Sequence, residues 1–144
     1  MVAGTLATTG LGAAAAIHGA WAAGSTWPAD SPVEWADLVV GRQPPPSPAM
    51  CLGVVGLLTS AAAAVAVDSL RRQRPDTPLA RSVQLAARAV AGVLAVRGIA
   101  GLVTSAVGVG SSTPQYRKWD LLLYSPLCLA LSAATFVGTA NPHE

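Results

Sequence analysis

The sequence has 144 residues, 52% of them hydrophobic and only 11% charged, where a soluble domain carries about 25% charged residues. Its length suits one domain. A formal net charge of +2, without an arginine-rich arm, an aromatic stripe or zinc-finger spacing, excludes nucleic acid as a partner. So few charges point to a membrane protein with the lipid bilayer as its first partner.

A helix crossing ~30 Å of hydrocarbon needs ~20 apolar residues. Four segments qualify, and they predict helices over about 2–24, 48–68, 78–109 and 114–140 within a single membrane domain spanning 1–144. The expected fold is therefore all-α: a polytopic four-transmembrane-helix bundle. The first segment is free of charge. Ala20-Trp21-Ala22 resembles a small-residue cleavage site, so a removed signal peptide is the alternative. Against it, the basic leader is missing and the apolar run is long.

The first loop predicts a short amphipathic helix over about 32–40. Ser31-Pro32-Val33-Glu34 reads as a capping box with proline at the first helical position, and Gly41 can end the turn. Trp35, Leu38 and Val39 share a face, which predicts that the helix rests on the outer membrane surface or on the bundle. Pro44-Pro45-Pro46 makes a stiff extended connector.

Ser47-Pro48, Thr77-Pro78 and Thr113-Pro114 each place a capping hydroxyl before a proline suited to the first helical turn. They predict the starts of the second, third and fourth spans. The last two would then exceed the bilayer and tilt or project from it. Cys51 and Cys128 lie in apolar stretches without a CxxC and read as small buried hydrophobes; a disulfide would require their helices to bring them together.

The middle connection carries Arg71, Arg72, Arg74 and Arg81, more basic residues than either other loop. The positive-inside rule places it in the cytoplasm of a bacterial inner membrane, with both termini on that side. Trp21, Trp27, Trp35, Tyr116 and Trp119 then form an aromatic belt at the outer interface.

Ionisable groups at membrane depth face protein or water and mark candidate sites. Arg88 lies near the cytoplasmic end and can extend its head to that interface. Arg97, nine residues on, points the opposite way at 100° per residue. It shares its face with Gly101, Thr104 and Gly108, a small stripe suited to helix contact. His18 and Trp21 share a face of the first span, and Asp120, Tyr124 and Cys128 recur every four residues in the last. Pro126 frees a backbone carbonyl near Leu122. By depth His18, Trp21, Arg97, Asp120 and Tyr124 meet in the outer half, as a structural network or a ligand-binding cluster. Asp120 has a competing partner in Arg117, one turn away.

His18-Gly19-Ala20-Trp21 with Gly24-Ser25-Thr26-Trp27-Pro28, Arg97-Gly98-Ile99-Ala100-Gly101, and Asp120 through Tyr124-Ser125-Pro126-Leu127 resemble signatures of a family of small bacterial, actinobacterial-type four-helix membrane proteins known only as a domain of unknown function. The resemblance covers nearly the whole chain. It implies the fold and brings no catalytic residues with it.

The expected function is binding of a lipid or small hydrophobic ligand, or docking of a membrane partner or a second copy. A membrane enzyme acting on a lipid-like or quinone-like substrate is the first alternative, with His18 as acid/base and Arg97 as anion stabiliser. The catalytic residues, and whether the chain is an enzyme, stay open. A small transporter is the second alternative. It commonly needs an embedded carboxylate, whereas every Asp and Glu here falls in a loop, at an interface or at a terminus. The sequence fixes no cofactor and shows no metal-ligand spacing. Haem on His18 would lack His143 as second ligand, which falls on the opposite side.

Overall fold

The structure is a computed structural model and describes residues 2–71, 77–110 and 113–139. Among these, every regular element is helical: α1 (Val2–Ala22), α2 (Pro32–Trp35, running on as a π turn over Ala36–Val40), α3 (Pro48–Arg71), α4 (Pro78–Val107) and α5 (Pro114–Thr139). The basic residues Arg72 and Arg74 of the middle connection, and His143, lie outside the described residues.

Local chemistry sets the helix ends. Thr113 Oγ1 accepts the Tyr116 N–H at 3.2 Å, and Ser47 Oγ accepts that of Met50 at 3.4 Å. The Thr77 carbonyl accepts the Arg81 N–H at 3.1 Å. Each Ser/Thr-Pro step therefore opens a helix, as its sequence predicts. α1 stops at Ala22 in a paired closure: the Gly24 N–H reaches Trp21 O and the Ser25 N–H reaches Ala20 O, both at 3.0 Å.

Three helical segments are long and apolar enough to cross a membrane: Pro48–Asp68, Arg81–Val107 and Pro114–Thr139. α1 has the length, 21 residues, but its apolar run is diluted by threonines, glycines and His18. The exposed faces carry Leu52, Leu57, Val93, Val96, Val103, Leu122 and Val137, while Ser105, Asp120, Ser125, Ser132 and Thr135 are buried. Apolar outside and polar inside is the distribution a helix assembly adopts when its solvent is hydrocarbon. The chain reads as a membrane protein.

The long helices contact one another in a closed circuit: α1 on α3, α3 on α4, α4 on α5, and α5 back on α1. Their apolar centre is Ala7 and Leu11 of α1, Ala61 and Val65 of α3, Ala87 of α4 and Leu131 of α5. These residues come from the start of α1 and α4 and the end of α3 and α5, so the dry core occupies the half away from α2. Small residues set the spacing there. A Cβ on Gly138 would stand 3.1 Å from the Gly4 backbone, so α1 and α5 pack almost backbone to backbone. Ser132 Oγ donates to Ala91 O at 2.8 Å and Gln84 Nε2 to Thr139 O at 3.0 Å, adding polar links between α4 and α5.

α2 rests on the helix assembly, not apart from it. Ser31 Oγ accepts the Glu34 N–H at 3.2 Å, the first half of the expected capping box. The return bond is displaced by one residue: Glu34 Oε2 accepts from Asp30 N–H at 3.2 Å. Gly41 closes the π turn with its N–H on Ala36 O at 2.8 Å and φ of 78°, a left-handed geometry suited to glycine. A Cβ there would also meet the Tyr116 ring at 2.7 Å. Thr113 completes the tie to α5. Its N–H donates to Gly41 O at 3.1 Å and its hydroxyl donates to Asp37 O.

Candidate functional site

The half nearest α2 holds the polar residues, and they divide into two adjoining parts. The first is an ionic cluster between α4 and α5. Arg97 Nη2 donates to Asp120 Oδ1 at 2.9 Å and to the Tyr116 hydroxyl at 3.0 Å, and Nη1 donates to Ser125 Oγ at 3.4 Å. Ser105 Oγ donates to the other Asp120 oxygen at 2.6 Å. Asp120 is fully enclosed and the Arg97 side chain is 42% exposed. The carboxylate thus has a partner on each oxygen, which is what a buried charge requires.

The cluster depends on two backbone features. At Gly101 an added Cβ would lie 2.1 Å from Ser125 Oγ and 2.2 Å from Arg97 Nη1. The guanidinium therefore occupies the space a side chain would fill. In α5 the turn Asp120–Tyr124 is π-helical, with the Ser125 N–H on Asp120 O. Five residues of α-helix would leave Asp120 and Ser125 ~140° apart; an i→i+5 turn sets them one above the other. Pro126, which has no N–H to give Leu122 O, follows directly after this turn.

Arg117 does not take Asp120. Its Nε donates to Ser105 O at 2.9 Å, so the competing intrahelical pair expected from spacing is replaced by a strap across to α4. Nor is Asp120 an open interfacial acid: it is buried in α5, with Arg97 and Ser105 on its oxygens. Arg88 is exposed.

The second part is a cavity of about 300 Å³ bounded by α1, α2, α3 and α5. His18 and Trp21 form one side, Trp35 and Val39 the α2 side, and Met50, Cys51, Val54 and Tyr116 most of the remainder, with no Asp, Glu, Lys or Arg in the wall among the described residues. The His18 and Trp21 rings meet edge-on at 4.8 Å between centroids, and Trp21 and Trp35 at 5.4 Å. Trp21 Nε1 donates to Trp27 O at 2.6 Å. His18 Nδ1 lies 2.9 Å from Ala14 O. A carbonyl can only accept, so Nδ1 carries a proton, and in the neutral form of the ring Nε2 is the acceptor. Trp35 is 5% exposed, and its buried Nε1 has no hydrogen-bond partner among the described residues.

The five residues predicted to cluster are therefore apportioned. Arg97 and Asp120 make the ionic cluster. His18 and Trp21 line the cavity, and no hydrogen bond joins His18 to Arg97 among the described residues. Tyr124 stands at the side, its ring 6.0 Å from that of Tyr116 and its hydroxyl 3.5 Å from Leu38 O. Tyr116 belongs to both parts, as cavity wall and as Arg97 acceptor. Of the aromatic residues expected near the outer interface, Trp35 is buried, Trp21 and Tyr116 line the cavity, and Trp27 and Trp119 are exposed. Ser105 and Ser125 escaped the sequence reading. Gly101 and Pro126 are the traces that pointed to them. Cys51 and Cys128 are free thiols, Cys51 buried and Cys128 half-buried. Among the described residues no group of three His, Cys, Asp or Glu is placed to hold a metal ion.

The chain belongs to a family of proteins of unknown function, DUF3995, which it matches over residues 11–135. No curated protein and no solved structure matches it.

Proposed function

We propose that this member of the family is a four-span membrane protein that binds a small lipid-like ligand in the cavity between α1, α2, α3 and α5. The cavity itself carries the reading. At about 300 Å³ it lies at the lower end of the ~300–1,000 Å³ usual for ligand sites. Its wall is largely apolar and aromatic with a few polar atoms, the composition such sites share. The ionic cluster beside it is structural in this reading: it holds Tyr116, which forms one side of the cavity.

α1 serves as the fourth span, since it lies along both α3 and α5 and bears no charged side chain. The basic middle connection then faces the cytoplasm of a bacterial inner membrane, and the cavity opens near the outer surface under α2. An Asp30→Cys variant should accept a membrane-impermeant thiol reagent applied to intact cells; protection until lysis would reverse this orientation.

The membrane-enzyme alternative asks His18, in the cavity wall, and Arg97, in the ionic cluster, to act on one substrate. For transport, Asp120 would have to release Arg97 and Ser105 to carry a proton.

Native mass spectrometry of protein extracted in several mild detergents tests ligand binding. The expected result is a co-purifying small hydrophobic molecule, lost from a Val54→Phe variant in which a larger ring occupies the cavity wall. An unliganded mass in every detergent would sink the proposal.

A further inference from the structure

The lining also limits the chemistry of the occupant, and this step rests on the cavity-binding reading above. We infer that the cavity takes an uncharged lipid head bearing a carbonyl or similar acceptor beside a hydroxyl donor, with the tail leaving past Met50. Three observations converge on that head.

First, the wall has no Asp, Glu, Lys or Arg among the described residues. A carboxylate, phosphate or ammonium would be transferred there without a counter-charge, which the interior strongly disfavours. Arg97, which reaches the wall residue Tyr116, is committed to Asp120, Tyr116 and Ser125.

Second, the Trp35 indole N–H is a donor without a recipient. The side chain is 5% exposed, it lines the cavity, and Nε1 has no partner among the described residues. Tryptophan nitrogen can only donate, and buried donors are nearly always satisfied. Nε1 is covered in this structure; in the inferred complex it meets a ligand oxygen as the indole turns toward the cavity. The other wall indole needs none, since Trp21 Nε1 already donates to Trp27 O.

Third, His18 supplies the complementary function. With Nδ1 bound to Ala14 O, Nε2 of the neutral imidazole is an acceptor that calls for a hydroxyl. Edge-on contacts of 4.8 and 5.4 Å link His18 through Trp21 to Trp35. Trp35 and His18 thus flank one indole of the wall, and in the inferred complex they take the carbonyl and the hydroxyl of one head. The remaining wall is apolar. Met50, in the first turn of α3, is 58% exposed, so the cavity opens at the edge of the lipid-facing surface, where an acyl or isoprenoid tail has its preferred surroundings.

Acylglycerols carry this head, and so do quinols. The test uses both as probes on the full chain in detergent or nanodiscs: 1-monooleoylglycerol, decylbenzoquinol, oleate as the charged analogue, and 1-octadecene as the headless one. Binding is read by the indole N–H resonances, with Trp35 assigned from a Trp35→Phe variant. A neutral-headed probe should shift the Trp35 signal downfield and leave the Trp21 signal in place. Trp35→Phe removes the donor and part of the apolar wall, and octadecene reports the second loss alone. Neutral-head binding should weaken by roughly three- to tenfold, the range one hydrogen bond supplies, beyond any change in octadecene binding. A response to one probe alone identifies the source. Oleate binding as tightly as monooleoylglycerol would overturn the inference, as would a Trp35 signal unmoved by both neutral heads. If octadecene bound as tightly as they did, and Val54→Phe excluded it, the cavity would still be a lipid site and only the head chemistry would be wrong. If no probe bound and Val54→Phe changed nothing, the binding reading itself would fail.

Discussion

The two halves of this helix assembly are built on different principles. Away from α2, the helices meet through Ala7, Leu11, Ala61, Val65, Ala87 and Leu131, with glycine backbones in near contact at Gly4 and Gly138. Beyond shape, that half adds the bonds from Ser132 to Ala91 O and from Gln84 to Thr139 O. Toward α2, the helices border a cavity, and α4 and α5 are joined by an arginine, a carboxylate and two serines. In a bilayer, apolar burial gains little between helices because lipid is equally apolar, so close packing and polar links carry association. One half relies chiefly on the first device and the other on the second. The packed half can hold the fold, which leaves the polar half room for a site.

Breaking the polar half should have the largest effect. Asp120→Ala would leave the Arg97 guanidinium without its main acceptor and Ser105 Oγ without its recipient. Removing one member of a buried pair costs about 3–5 kcal/mol. Partial exposure of Arg97 (42%) puts the expected loss toward the lower end of that range. Denaturation in mixed detergent–SDS measures it. The double variant Arg97→Met/Asp120→Leu should recover much of the loss, because no charge is then stranded. Equal losses in the single and double variants would mean that the pair is not the element holding α4 to α5.

Leu11→Ala probes the packed half. In water a buried Leu→Ala change costs about 2–5 kcal/mol, of which part is transfer and part is the cavity left behind. When the unfolded helices remain in lipid the transfer part shrinks, so a loss of about 2 kcal/mol is expected in the same assay. The sharper prediction is locality. Ligand binding should persist in Leu11→Ala once the protein is folded, whereas Asp120→Ala should weaken it through Tyr116. A common loss of affinity in both would show that the halves are not independent.

How much of this was legible in the sequence follows the same division. Helix starts were legible because a hydroxyl followed by proline has a local meaning at Ser47, Thr77 and Thr113. Arg97 and Asp120 were legible as neighbours because ionisable groups in an apolar helix must find one another. The glycine at Gly101, one turn from Arg97, marked the face. His18 stands in the adjoining cavity wall and shares Tyr116 with the ionic cluster, since depth fixes height in the membrane but not direction around the circuit. Trp35 and Tyr116 were read as interfacial because both are amphipathic; only the tie between Gly41, Thr113 and Tyr116 shows that α2 turns them inward. Ser125 was hidden by geometry. Counting at 100° per residue places it far from Asp120, and the π turn that reverses this leaves only Pro126 as a trace.

The smallest perturbation tests whether α2 belongs to the polar half or merely lies on it. Thr113 accepts the Tyr116 N–H and donates its hydroxyl to Asp37 O, while its N–H binds Gly41 O. Thr113→Val keeps the shape and the backbone link but removes both hydroxyl bonds. Loss of a cap costs about 1 kcal/mol, and the link to α2 is lost with it. Amide hydrogen exchange should therefore quicken in α2 and in the first turn of α5. Exchange around Leu11, Val65 and Leu131 should be unchanged. Thr113→Ser should restore the α2 protection, since the serine hydroxyl can make both bonds. Were α2 to exchange at the same rate in all three proteins, the hydroxyl would be irrelevant to its docking. The packing of Trp35 on Trp21 and of Gly41 on the Tyr116 ring would then be what closes the cavity.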